Sequence, residues 1–208
     1  MTLPEGVERQ EFDGDTGLAT RGEPVYGEPV RDGWRRWDPS RSKLGSMLDL
    51  GMDTGLSGGE TVLYLGAAAG TTVSHVADFA GPTYAVEFAP RPMRDLVLAA
   101  EDRENLFPLL KDARDPDSYS HIVEPVDILL QDVATRGQAA VAVANRRFLA
   151  DDGLLLMAIK ARSEDVTGDP EAVFENVLDE LRESYEILET TRLEPYHDDH
   201  LGVIARPA

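Results

Sequence analysis

From Glu60 onward, short apolar runs alternate with segments whose apolar residues recur at helical spacing. Thr61-Val-Leu-Tyr-Leu65 is apolar throughout and stops at Gly66, as a strand buried on both faces would. The spacing predicts a helix over 72–79, a strand at 83–87, a helix over 91–103 and strands at 106–110 and 126–130. A helix is expected over 138–149, then an Asp151-Asp-Gly153 turn into Leu154–Ile159, the most apolar strand. Pro170 opens an amphipathic helix to Ser184 that places Phe174, Val177, Leu178 and Leu181 on one face. Strands at 185–193 and 201–205 complete the series. Strands alternating with helices imply a doubly wound, mostly parallel sheet with helices on both faces.

Residues 1–55 read differently. Gly and Pro are frequent, both tryptophans (Trp34 and Trp37) fall here, and segments such as Glu23-Pro-Val-Tyr26 are broken by turn residues. Short strands are expected, with one helix from Ser42 to Leu50 stopped by Gly51. The chain thus divides into a small β-rich unit, 1–55, and an α/β unit, 56–208.

Composition narrows the classes. No apolar run approaches the roughly 18 residues of a membrane-spanning helix. Zero cysteines exclude thiolate chemistry and cysteine-held zinc, and the four histidines lack metal-ligand spacing. The acidic, polar N-terminus does not read as a secretory signal, so a cytoplasmic setting is expected. With 39 acidic and 20 basic side chains the net charge is −19, which taken alone argues against a nucleic-acid partner. The acids are spread along the whole chain, and only three of the basic residues are lysines: Lys43, Lys111 and Lys160. That pattern suits a cytoplasm of high salt, where carboxylates keep a surface hydrated. Each surviving lysine then becomes a candidate for a specific task.

Four successive strand ends carry candidate chemistry. The first runs into Gly66-Ala-Ala-Ala-Gly70-Thr71-Thr72, small residues that let backbone amides approach a ligand, with two hydroxyls at a helix start. The alternative is a tight turn that binds nothing. Because the loop is not GxGxxG, a dinucleotide pyrophosphate does not fit, and a nicotinamide oxidoreductase is disfavoured. Glu87 ends the next strand, where a carboxylate either accepts from ribose hydroxyls or is a solvated acid. Phe88 stacks on a purine or packs under its loop. Asp112-Ala113 and Asp132 end the third and fourth strands. Together these ends suit a nucleoside ligand without a pyrophosphate, S-adenosyl-L-methionine first among them. Lys160 ends the most apolar strand, a place a charge without a task avoids. With Lys43, Asp132 and His200 it could form a polar cluster around a substrate hydroxyl; the plainer readings are a snorkelling cation and a turn histidine. Residues 31–43 combine five cations, Arg35, Arg36 and Arg41 among them, with two acids and two tryptophans. This segment is either a phosphate-and-stacking surface or a packed aromatic hinge.

The run Tyr64-Leu-Gly-Ala-Ala-Ala-Gly-Thr-Thr-Val-Ser-His-Val-Ala-Asp78 resembles the signature of the fibrillarin family. So do Tyr84-Ala-Val-Glu-Phe-Ala-Pro-Arg91, Asp112-Ala-Arg-Asp-Pro116, Ile159-Lys-Ala-Arg-Ser163 and Arg36-Trp-Asp-Pro-Ser-Arg-Ser-Lys-Leu44. The resemblance implies an S-adenosyl-L-methionine-dependent methyltransferase of Rossmann-like fold that modifies RNA ribose 2′-hydroxyls. It implies cofactor contacts at Gly66, Thr71, Thr72, Glu87, Phe88, Asp112, Ala113 and Asp132-Val133-Ala134-Thr135, and a catalytic set of Lys43, Asp132, Lys160 and His200. It also implies work on rRNA and tRNA inside a box C/D guide-RNA particle, beside a Nop-domain scaffold and a kink-turn-binding subunit that resembles a ribosomal protein. Ala69 and Thr135 depart from the Ser and Gln usual in the family, while Gln138 matches a second family glutamine. The rival readings are a methyltransferase that acts alone and a non-catalytic assembly subunit.

Overall fold

The computed structural model describes residues 3–208. Residues 1 and 2 of the expected N-terminal unit lie outside it. The chain begins with two hairpins: β1 (Val7–Phe12) with β2 (Asp15–Arg21), and β3 (Val30–Arg31) with β4 (Trp34–Trp37). Each turns on two residues, Asp13-Gly14 and Asp32-Gly33, all with positive φ, the backbone twist that two-residue hairpin loops favour. The four strands form an antiparallel sheet in the order β1-β2-β4-β3. The segment Glu23–Tyr26 is a loop rather than a strand, because the Glu28 carboxylate gathers the Val25 and Tyr26 amides and curls the chain.

Helix α1 (Lys43–Asp49) leads into the larger sheet, whose strands are β5 (Val62–Leu65), β6 (Thr83–Glu87), β7 (Leu106–Leu110), β8 (Val126–Gln131), β9 (Leu149–Lys160), β10 (Tyr185–Arg192) and β11 (His200–Pro207). Their order is β10-β11-β9-β8-β5-β6-β7, with β5 to β9 parallel and β10 and β11 antiparallel. Helices α2 (Thr71–Ala77) and α3 (Pro90–Ala100) follow β5 and β6; α4 (Gln138–Asn145) follows β8; α5 (Ala161–Glu164) and α6 (Pro170–Arg182) follow β9. Alternation along β5 divides the core. Leu63 and Leu65 face α4 and α6, while Val62 and Tyr64 face α1, α2 and α3. Val7, Leu18 and Trp37 of the small sheet join that second core, so the two sheets share one apolar interior.

Two boundaries move furthest, while the helices expected to end at 79 and 103 stop at Ala77 and Ala100. The helix expected to Leu149 stops at Asn145 and tightens into a 3-10 turn over Arg146–Phe148. Asp151-Asp-Gly153 is not a turn but part of β9, which carries the extra residues beside a break in its pairing with β8. Among the described residues no helix is long and apolar enough to cross a membrane.

Candidate functional site

The chain reverses direction across the sheet between β5 and β8, since β6 and β7 lie to one side of β5 and β8 and β9 to the other. Ligand crevices open beyond the carboxyl ends of strands at such a point. A cleft of about 390 Å³ lies there. Every cofactor residue expected from the sequence lines it: Gly66, Thr71, Thr72, Glu87, Phe88, Asp112, Ala113, Asp132, Val133, Ala134 and Thr135. All three lysines of the chain line it too.

The floor is set by close backbone approach. Gly66 has φ +82°, and a Cβ there would stand 2.8 Å from the Asp132 carbonyl oxygen. Only glycine lets the β5 loop lie against the end of β8, where Asp132 N donates to Leu65 O at 2.9 Å. Ala68 also has a positive φ, a strained conformation for a residue with a Cβ. Glu87 anchors this loop, one oxygen accepting from Ala68 N at 3.0 Å and the other from Ala89 N at 2.7 Å. Each carboxylate oxygen keeps a further lone pair for a ligand hydroxyl. Phe88 is 67% exposed at the mouth, so it does not pack beneath the loop. Asp112 is held by Arg114 through two bonds of 2.9 and 2.6 Å, and that guanidinium keeps its carboxyl below the usual range.

Lys160 and Asp132 meet at the other end of the cleft. The ammonium stands 2.7 Å from Asp132 Oδ1 and donates an aligned hydrogen bond to the Asp132 carbonyl at 3.0 Å. Oδ1 itself is buried under the ammonium, so that contact is an ion pair closed off from solvent. Gln138, fully buried, fixes the lysine's backbone: its Oε1 accepts from Lys160 N at 2.9 Å and its Nε2 donates to Lys160 O at 3.1 Å. Lys43, at the first turn of α1, lines the same cleft. His200 is the cross-strand partner of Lys160 and sits beside the cleft rather than among its lining residues. Burial pushes the His200 imidazole below its ordinary pKa, and the Lys43, His197 and Lys160 surroundings push the same way, so it is neutral at pH 7. The structure therefore gathers the four residues of the expected set around one end of the crevice.

The expected RNA surface separates into three fates. Arg35 is fully buried on β4, paired with Glu28 at 2.7 Å and Asp78 at 2.9 Å, and cannot reach a phosphate; that expectation is corrected. Trp37 is buried against the His75 ring, 4.9 Å between centroids, and Trp34 packs with Phe12 and Ala19, so the tryptophans form a hinge and not a stacking platform. Arg36 is half-buried on the other face of β4 and is absent from the cleft. Arg41 is exposed, lies over the Tyr26 ring at 4.6 Å and lines the cleft. Sequence reasoning left Lys111 without a task and missed Arg114 and Tyr64 on the cleft wall; the scarcity of lysine was the one signal that pointed to Lys111.

Comparison with known proteins agrees with this geometry. The family model described as Fibrillarin matches residues 7–208. A protein of Haloarcula marismortui named fibrillarin-like rRNA/tRNA 2′-O-methyltransferase is 73% identical over 207 residues, covering 100% of this chain and 99% of that one. The crystal structure of a fibrillarin/Nop5p complex superposes with a TM-score of 0.92 at 41% identity, covering 100% of both chains. Aeropyrum pernix fibrillarin, solved with natively bound S-adenosyl-L-methionine, superposes at 0.83 with 41% identity, covering 99% of this chain and 100% of that one.

Proposed function

The chain belongs to the fibrillarin family, and on that premise we propose that it methylates ribose 2′-hydroxyls of rRNA and tRNA from S-adenosyl-L-methionine, within a guide-RNA particle. The observation that carries the reading is the Lys160–Asp132 pair, set at the strand ends where a nucleoside-sized cleft opens. A Nop-domain scaffold, a kink-turn-binding subunit and box C/D guide RNA are the proposed partners, and the cytoplasm of a halophilic archaeon the setting. Residues 1–55 and 56–208 are the proposed units, in keeping with a small sheet that ends at Trp37 and a large one that starts at Val62.

The donor set fits the cofactor. Gly66 brings the β5 loop against the end of β8 and so shapes the cleft floor, Glu87 would offer acceptors for two ribose hydroxyls, and Asp112, Ala113 and Phe88 would hold the base. Thr71 and the 132–135 loop would hold the amino-acid end. Bound there, the cofactor supplies an electrophilic sulfonium methyl. The residues supply the rest. A ribose hydroxyl is a poor nucleophile until its proton leaves or its developing charge is held. The Asp132 carboxylate, partly exposed on the cleft, accepts that proton, while the Lys160 ammonium beside it holds the developing negative charge. Lys43 adds positive charge, and neutral His200 orients the cluster from β11. Alignment of the hydroxyl against the methyl would lower the barrier further. Arg41, Lys43 and Lys111 have no ion-pair partner among the described residues, and they give the cleft mouth its cations for the RNA backbone.

The test is transfer of labelled methyl to a guided RNA by the chain assembled with its two protein partners and guide RNA. Transfer should need the assembly and collapse in Lys160→Ala. Strong transfer by the chain alone would leave the particle without a role.

A further inference from the structure

We infer that the hydrogen bond from Thr72 to Ser42 positions Lys43, which makes Thr72 a positioning residue; the inference rests on the reading above and deepens it. Ser42 caps α1, its Oγ accepting from Gly45 N at 3.0 Å. The same Oγ accepts from the Thr72 hydroxyl at 3.1 Å. Both side chains are buried, and Lys43 is the residue that follows the cap. The cofactor loop and the helix that presents Lys43 are thus joined by one buried bond.

A threonine hydroxyl has a single proton. Thr72 gives its proton to Ser42, and the Tyr64 hydroxyl on the cleft wall meets the same side chain, so Thr72 donates to a cleft carboxylate only by letting go of Ser42. Thr71 lines the same cleft, and its hydroxyl has no partner among the described residues. The two threonines therefore differ: both line the cleft, the Thr71 hydroxyl is unpartnered among the described residues, and the Thr72 hydroxyl is tied to α1. The helix has little other freedom in its first turn, because a Cβ at Gly45 would stand 2.9 Å from Trp37 Nε1. Cap, glycine and threonine together fix the direction in which Lys43 leaves the backbone. With α1 only seven residues long, a loosened first turn moves the ammonium that the cluster uses.

Thr72→Val keeps the shape and removes the donor. In the assembled particle at saturating substrates it should lower kcat about tenfold, a larger factor than any change in the dissociation constant for S-adenosyl-L-methionine read by calorimetry. Ser42→Ala should give the same loss, the double variant no more than the larger single one, and Thr72→Ser should restore the rate. A second readout needs no turnover. Protein labelled with 13C-lysine gives signals from three residues; the Lys43 signals should shift in Thr72→Val and those of Lys111 should not. Unmoved Lys43 signals, additive losses, or cofactor binding weakened tenfold at an unchanged kcat would overturn the inference. If the wild-type particle transfers no methyl, the proposed function fails instead, while the lysine spectra still judge the Thr72–Ser42 link.

Discussion

Two clusters of charged residues sit at opposite ends of α2. At its carboxyl end Asp78 binds Arg35 at 2.9 Å and Arg103 at 3.0 Å, and accepts from Thr20 at 2.6 Å. Arg35 also reaches Glu28, Ser74 Oγ and the Glu23 carbonyl. His75 fills the gap between Thr20 and Tyr26, stacked on Trp37. Every charge there is closed off from solvent and matched. At the amino end the cleft holds Lys160 against Asp132, with Lys43, Lys111 and Arg41 unmatched. The difference separates structure from chemistry. A saturated cluster holds the small sheet to the large one, while an unsaturated one can offer its groups to a substrate.

Removing Arg35 is the harshest way to test that contrast. Arg35→Ala leaves Glu28 buried without its cation and Asp78 with Arg103 alone, a loss of about 3–5 kcal/mol. Denaturant unfolding should show the full drop, and a variant near wild-type stability would mean that the cluster is not closed. Lys160→Ala should do the reverse. Its pair with Asp132 is mostly buried but opens on the cleft, so the stability loss should be smaller than for Arg35→Ala, while kcat falls roughly 100-fold or more. Rapid turnover by that variant would remove the lysine from the chemistry.

The clusters also answer pH differently. Burial, then Arg35 and Arg103, push the His75 imidazole well below 6.5. The unfolded chain therefore binds a proton on this histidine before the folded one does. Stability is present above pH 6.5 and is lost as pH falls from there toward the folded value, by up to about 1.4 kcal/mol per unit. Thermal unfolding between pH 7 and 5 should show this slope, and His75→Gln should flatten it. An unchanged slope in that variant would assign the loss to other groups. His200, also depressed but beside the cleft, should act on rate as well: turnover falls as acid protonates it, with a stability loss of the same sign as that of His75.

The parallel core was legible because its strands are uninterrupted apolar runs. β6 and β7 begin and end where periodicity puts them, and Lys160 stood out as a charge at the end of such a run. The hairpin turns Asp13-Gly14 and Asp32-Gly33 were equally present as Asp-Gly signals, hidden by the mostly polar strands around them. Arg35 was not legible. In Trp-Arg-Arg-Trp both arginines look like surface cations, and only folding brings Asp78, 43 residues on, to the face of β4 that Arg35 shares. The Thr72–Ser42 bond was hidden for the same reason: a motif reveals which residues meet a ligand, not which of their protons are already taken.

Salt gives the smallest and most specific test. The buried cluster excludes solvent ions, whereas the mouth of the cleft does not, and at 1 M salt the screening length is only about 3 Å. If Arg41 and Lys111 each touch one RNA phosphate, Arg41→Gln and Lys111→Gln should each reduce the slope of log affinity against log salt by roughly 0.7, the single-strand increment per contact. Affinity of the assembled particle for substrate RNA is the measurement. Cofactor binding should not change, since neither cation has an anionic partner at the adenosine end of the site. Arg206, exposed and paired with Glu186 on the far edge of the sheet, supplies the control: Arg206→Gln should leave the slope alone. Equal slopes in all three variants would mean that the cations of the cleft never meet the backbone, and that a chain of net charge −19 holds its RNA entirely through other subunits.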